Sequence, residues 1–146
     1  MIIVCLDQLS KWLTEKFLPF EQQVEILPFL SFFRTYNYGV AFSFLSDLGP
    51  LPLIILTIVI ILFVIWLWWT LEPGRHLTAI GYAFVIGGAL GNLVDRAWHL
   101  KVIDMIYFHI DALNFHFAIF NVADTFITLG AIAIIIEELI RWKNGT

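Results

Sequence analysis

Residues 51–71 read LPLIILTIVIILFVIWLWWTL, a run without a single ionisable side chain. As a helix rising roughly 1.5 Å per residue, it is long enough to cross a hydrocarbon core of ~30 Å. Residues 77–94 (LTAIGYAFVIGGALGNLV) form a second candidate span and residues 117–136 a third. Composition points the same way: 60% of the residues are hydrophobic and 14% charged, against about 45–50% and about 25% in soluble domains. The chain reads as an integral membrane protein. Its net charge of −4 argues against a nucleic-acid partner, which needs a concentrated basic face. Cys5 is the one cysteine, so no intramolecular disulfide can form, and its apolar neighbours predict a packed thiol. Asp7 and Lys11 interrupt the apolar N-terminal stretch and no small-residue cleavage site follows, so this is not a cleavable signal peptide.

The pattern predicts an all-α membrane protein of one domain, residues 1–146, with four transmembrane helices at about 2–17, 51–71, 77–96 and 118–142. The first is short for a full crossing, as if further helix preceded Met1. Two segments, about 19–50 and 98–116, lie outside the bilayer. The first of these is rich in aromatic and β-branched residues with Gly39 at a turn, which predicts short strands. The second reads as irregular. The connection at 72–76 (EPGRH) is tight, so helices 2 and 3 are antiparallel neighbours. Trp66, Trp68, Trp69 and Trp142 fall at helix ends on one side, where an aromatic belt is expected. Basic residues leave the orientation open. Arg75, Arg141 and Lys143 lie on one side, and Lys16, Arg34 and Lys101 on the other, with Lys11 and Arg96 in nearby helix ends.

Polar residues within the spans are concentrated. Asp7 and Lys11 are four apart on helix 1 and share a face, where they can pair. Asn92, Asp95 and Arg96 occupy the end of helix 3, Asn121 and Asp124 are three apart on helix 4, and Asp104 lies in the connection between those helices. The up-and-down topology brings all of them to one membrane face. An Asp at the centre of a span costs about 2.5–3.5 kcal/mol on insertion scales, and less near an interface, so such groups pair or serve a function. For Asp7 with Lys11, and for Asp95 and Arg96, pairing that fixes helix orientation is the simpler reading; Asp95 and Arg96 are neighbours that do not face each other and need partners elsewhere. Asp104 and Asp124 lack a basic partner at helical spacing and are candidates to meet each other. Spacing alone leaves open whether they are catalytic or structural. The GGALG stretch at 87–91 is a close-packing pattern, although Gly88 on a neighbouring face could admit a substrate backbone. His109, His116 and Asp111 lack the ligand spacing of a metal site, and no metal is expected. There is no Gly-rich phosphate loop and no G-x-S-x-G.

Taken together, DQLSK (7–11), NYGVAFS (37–43), GGALGNLVDR (87–96), VIDMI (102–106) and FNVADT (120–125) stand in the order and context of bacterial lipoprotein signal peptidase, signal peptidase II, and the chain resembles that family over nearly its whole length. The resemblance implies four transmembrane helices with a small extracytoplasmic β-cradle and a helix outside the membrane. It also implies both termini in the cytoplasm and a site near the outer face of the bacterial plasma membrane. By resemblance, Asp104 and Asp124 form a catalytic aspartate dyad. Asn37, Gly88, Asn92, Arg96 and Asn121 match positions that line the substrate pocket, and Asp7, Lys11 and Asp95 match supporting positions. Val40, Met105 and Thr125 depart mildly from the usual alanine, phenylalanine and serine. The family substrate is a diacylglyceryl-prolipoprotein, cleaved before the lipidated cysteine by an intramembrane aspartyl endopeptidase that needs no cofactor. Membrane lipid is the other partner, and a monomer suffices for the chemistry.

Two carboxylates sharing one site also share a proton, so that one can act as base on water while the other acts as acid. The rival readings are a small transporter with a carboxylate proton relay, and a scaffold whose polar groups only tie helices together. Four helices without an inverted repeat are few for alternating access.

Overall fold

A computed structural model describes residues 1–39 and 51–145. It contains four helices, α1 (Ile2–Phe17), α2 (Leu51–Trp69), α3 (His76–His99) and α4 (Val122–Asn144). Four strands, β1 (Gln23–Leu27), β2 (Leu30–Asn37), β3 (Val102–Ile110) and β4 (Phe115–His116), form one antiparallel sheet in the order β1-β2-β3-β4. The helix outside the membrane that the resemblance implies is not found among the described residues, where the only further helical piece is a 3-10 turn at Asp111–Leu113. Val40 and the rest of the 40–50 stretch lie outside the described residues.

The inside and outside of this molecule are reversed relative to a soluble domain. Asp7, Lys11, Thr14, Thr78, Asn92, Asp95, Asp104, His109 and Asn121 are buried, whereas Ile, Leu, Phe and Trp side chains cover the outer faces of α1, α2 and α4. Water would expel such a surface; lipid accepts it. Among the described residues two helices, α2 and α3, are long and apolar enough to cross a membrane. Cys5 departs from expectation: its thiol is exposed on this outer apolar face rather than packed inside.

α3 touches each of the other three helices. Its closest partner is α4, and glycines set the distance. A Cβ on Gly81 would lie 2.7 Å from the Gly130 carbonyl oxygen, and one on Gly130 would lie 2.6 Å from that of Gly81. A Cβ on Gly88 would collide with the Ala123 carbonyl oxygen. Small residues let two backbones meet where lipid offers no hydrophobic drive.

Two boundaries differ from the sequence reading, and both matter at the site. α3 runs on to His99 and ends with Leu100 in the left-handed region (φ 59°), its N–H on the Arg96 carbonyl at 3.2 Å. α4 begins at Val122 rather than near 118, with Asn121 as its N-cap. The segment read as irregular, 98–116, carries β3 and β4 and supplies half of the sheet. Asp104 therefore sits on a strand and not in a loose connection. Periodicity hid this strand because both of its faces are covered near its start: Val102, Ile103, Asp104 and Met105 are all buried, so apolar and polar residues do not alternate.

Candidate active site

Three elements converge on the two aspartates. In β2 and β3, Thr35 is opposite Asp104 and Asn37 opposite Val102, which makes Asn37 the diagonal neighbour of Asp104 on the same sheet face. The lead-in to α4 runs beside β3: Phe120 N–H donates to the Ile106 carbonyl at 3.0 Å, and Ile106 N–H returns to the Phe120 carbonyl at 2.8 Å. The next residue, Asn121, is thereby held against Asp104, and α4 starts there.

Asn121 joins the pair. Its Nδ2 donates to Asp104 Oδ1 at 2.6 Å, while its backbone N–H donates to Asp124 Oδ2 at 3.3 Å and its Oδ1 accepts from Asp124 N–H at 2.9 Å. The last two bonds are a capping box, with Asp124 at the third helical position. This places the Asp124 carboxylate at the positive end of α4, where negative charge is stabilised. The opposite oxygen of Asp124 accepts from Asn92 Nδ2 at 2.8 Å, and Asp104 Oδ2 accepts from Asn37 Nδ2 at 3.1 Å. Asp104 is 2% exposed. That burial, reinforced by the Asp124 charge, pushes the Asp104 carboxyl up to about 6, with the Asn37 and Asn121 amides and Lys11 pulling the other way.

Beneath the pair lies an ionic floor. Lys11 Nζ is 2.7 Å from Asp7 Oδ2 and 2.7 Å from Asp95 Oδ2, and donates to Asn92 Oδ1 at 3.1 Å. Asp7 Oδ1 also accepts from Ala123 N–H at 2.9 Å, tying α1 to the first turn of α4. Gln8, which sequence reading passed over, spans Asp95 Oδ1 at 2.7 Å, the Gly91 carbonyl at 3.2 Å and Asp7 Oδ2 at 3.2 Å. Its position beside Asp7, on the α1 face turned to α3, was the available signal. The N-cap role of Asn121 was also missed; the N-x-x-D spacing at 121–124 carried it.

Arg96 is half-buried within electrostatic reach of Asp124, Asp104 and Asp95, and among the described residues it makes no hydrogen bond or ion pair. Gly88 lies in the α3–α4 contact, with Ala123 and Ile127 filling the space a side chain would need. His109 and His116 face each other in register but turn to different partners. His109 is buried between Ser31 Oγ at 2.8 Å and Asp111 Oδ1 at 2.9 Å, and His116 Nδ1 meets Tyr107 Oη at 2.8 Å. No group of three metal-ligating side chains comes together among the described residues. Met105 is buried, and Thr125 donates its hydroxyl to the Asn121 carbonyl at 3.0 Å.

A cleft of about 380 Å³ opens along α4, with Asp124 in its wall among Phe117, Phe120, Thr125, Thr128 and Leu129. The arrangement places two carboxylates from different elements, one with a raised pKa, beside an apolar groove.

A family profile described as "Signal peptidase (SPase) II" matches residues 1–140. Lipoprotein signal peptidases of Brucella ovis, Brucella canis and Brucella suis are each 47% identical to this chain over 144 residues, covering 99% of it and 89% of the relative. A solved structure described as a bacterial membrane enzyme superposes with a TM-score of 0.85 at 29% identity, over 99% of this chain and 87% of the other. A second one, with the same description, gives 0.82 at 29% identity over 94% and 88%. With its sequence matched nearly end to end and its fold shared with membrane enzymes, the chain belongs to the signal peptidase II family of peptidases.

Proposed function

We propose that this chain is an intramembrane aspartyl endopeptidase that removes the signal peptide from diacylglyceryl-modified prolipoproteins, cleaving before the lipidated cysteine. The observation that carries the reading is the joining of Asp104 and Asp124 through Asn121 at the wall of an apolar cleft. All four helices cross the bilayer, with α1 and α4 relying on their exposed apolar faces. Both termini lie in the cytoplasm, and the aspartates lie near the outer face of the bacterial plasma membrane. Every group the reaction uses comes from one chain, so a monomer is sufficient.

The scissile bond of such a substrate lies near the bilayer surface, because the signal peptide and the diacylglyceryl chains are both held in lipid. Asp104 holds a proton at a higher pH than an ordinary carboxyl because it is buried; the Asp124 carboxyl lies in the first turn of α4, at the end of the helix that favours negative charge. Asp124 takes a proton from a water as its oxygen bonds to the peptide carbonyl carbon, and Asp104 gives its proton to the carbonyl oxygen. As the resulting diol collapses, a hydroxyl proton returns to Asp104, the C–N bond breaks, and Asp124 delivers its proton to the leaving nitrogen. One water is consumed and the pair is restored. Arg96, a cation within electrostatic reach of the pair and without a hydrogen-bond partner among the described residues, binds substrate carbonyls; Asn37 and Asn121 hold the carboxyl groups in place.

The test is cleavage of purified diacylglyceryl-prolipoprotein in detergent, followed by gel shift. Wild type cuts at the lipidated cysteine, and Asp104→Asn and Asp124→Asn each lose at least about a thousandfold in kcat while still unfolding in one cooperative transition. Retained cleavage in either variant removes the dyad mechanism. kcat/KM falls as pH rises above about 6, where Asp104 loses its proton; a rise through the same range instead makes Asp104 the base.

A further inference from the structure

An asparagine side chain has a donating end and an accepting end, and only its neighbours decide which way round it sits. Three asparagines touch the aspartate pair. Asn37 is oriented by a backbone donor, its Oδ1 accepting from Gly39 N–H at 2.8 Å, so its Nδ2 faces Asp104. Asn121 is oriented likewise by Asp124 N–H. Asn92 has no backbone donor of this kind. Its Oδ1 faces Lys11 Nζ at 3.1 Å and, less directly, Asn121 Nδ2 at 3.2 Å. Lysine can only donate, so the atom facing it has to be the oxygen, and Nδ2 has to face Asp124.

We propose that Lys11 is a positioning residue for the reaction: by fixing the amide of Asn92 it presents an N–H donor to Asp124, and with its charge it sets the pH range in which Asp104 and Asp124 work together. This rests on the dyad reading above. Lys11 touches neither carboxylate and no part of the cleft. It is 2% exposed, and its partners Asp7 and Asp95 are 0% and 1% exposed, so no solvent ion replaces it. Among the described residues, the charges that reach the pair, Asp104 on β3 and Asp124 on α4, are Lys11 from α1 and Arg96 from α3, with Asp7 on α1 and Asp95 on α3 held against Lys11. Removing Lys11 takes its cation from the floor, leaves Asp7 and Asp95 unneutralised beneath the pair, and frees Asn92 to turn. Each change makes ionisation of the pair harder, so the pH profile moves upward.

The experiment measures kcat, KM and the pH profile of cleavage, with the melting temperature in detergent, for a set of variants. Lys11→Met is expected to lower kcat by about tenfold or more, to leave KM within about twofold, and to move the whole profile about one unit toward higher pH. Since Lys11→Met leaves two buried carboxylates unpaired, it is paired with Asp7→Asn/Lys11→Met, which restores the net charge of the cluster and still offers an acceptor to Ala123 N–H. The loss of kcat is expected to persist there, because Asn92 is still free to turn, with a smaller shift of the profile in the same direction. Asn92→Ala keeps the ion cluster intact and should reproduce the loss of kcat, and adding Lys11→Met to it should leave kcat nearly unchanged.

A fall in kcat that follows the melting temperature with an unmoved pH profile overturns the proposal, as do effects of Lys11→Met and Asn92→Ala on kcat that simply multiply. Failure of the underlying reading is visible separately, as cleavage that survives Asp124→Asn, and overturns both.

Discussion

The two ends of the helical bundle each hold a cluster of acidic and basic side chains, and the clusters differ in almost everything except charge. At the site end, Lys11 lies between Asp7 and Asp95 at 2.7 Å from each, and none of the three is more than 2% exposed. At the other end Arg75 pairs with Glu138 and Arg141 with Glu72, where the glutamates are 56% and 67% exposed. The far cluster also lends a carboxylate to α3, whose N-terminus lacks a side-chain cap of its own: Glu137 Oε2 accepts from Thr78 N–H at 2.7 Å. Water reaches the glutamates of the Arg75–Glu138 and Arg141–Glu72 pairs and can stand in for a lost partner there, and it cannot do so in the buried cluster. The first cluster is therefore fixed geometry, and the second is adjustable contact.

The sharpest way to break this contrast is at Asp7. Asp7→Ala removes an ion pair, orphans Ala123 N–H and leaves Lys11 to Asp95 alone, which predicts a loss of about 3–5 kcal/mol of stability, the range for breaking a buried pair. Asp7→Asn keeps the acceptor for Ala123 and should cost less. Denaturation in detergent measures both; equal, small effects would mean that the floor is as replaceable as the exposed end.

Asp104 sharpens the contrast from the other side, because its burial lacks a counter-ion in contact. Its carboxyl is raised from 3.8 to about 6. The folded state thus binds a proton more tightly than the unfolded one. Its stabilising contribution is complete below about pH 4 and is lost as pH rises through about 6. At ~1.4 kcal/mol per unit the loss is on the order of 3 kcal/mol. Asp104→Asn does not titrate, so wild type should lose stability relative to this variant between pH 4 and 7, on top of a pH-independent offset from Asn37 Nδ2 meeting a second amide. A constant difference across that range would place the titration elsewhere.

How much of this was legible beforehand depended on the kind of signal. The run at 51–71 could only be a helix, and Asp7 with Lys11 at four-residue spacing could be paired on paper. The motifs around Asp104 and Asp124 carried the family because several stood in order. The strand at Val102–Ile110 stayed hidden because it is covered on both faces near its start, so its pattern does not alternate. Asn121 was taken for an interior helical residue because the apolar run before it, FAIF at 117–120, extends the helical pattern backward; those residues in fact lead past β3, and the helix starts where an asparagine can cap it. Lys11's bond to Asn92 and Gln8's to Asp95 join residues 81 and 87 positions apart, and no local spacing encodes them. Gly88 shows that a residue within a site motif can also carry a helix contact: a Cβ there would meet the Ala123 carbonyl oxygen of α4.

The smallest effect is predicted at Glu72. Its side chain is 67% exposed and accepts from Arg141 Nη2 at 3.1 Å. Glu72→Gln removes the charge but keeps an acceptor, so the change in stability should stay below about 1 kcal/mol, as for other exposed pairs. Salt separates it further from the floor. At 1 M the screening length falls to about 3 Å, which weakens a pair that solvent reaches and leaves a buried one nearly untouched. Denaturation of Glu72→Gln and Asp7→Ala in low and high salt should therefore show the first difference vanishing and the second persisting. If the Glu72 effect survives 1 M salt, the far end is held by desolvated contacts like those around Lys11, and exposure of its glutamates is no guide to what they contribute.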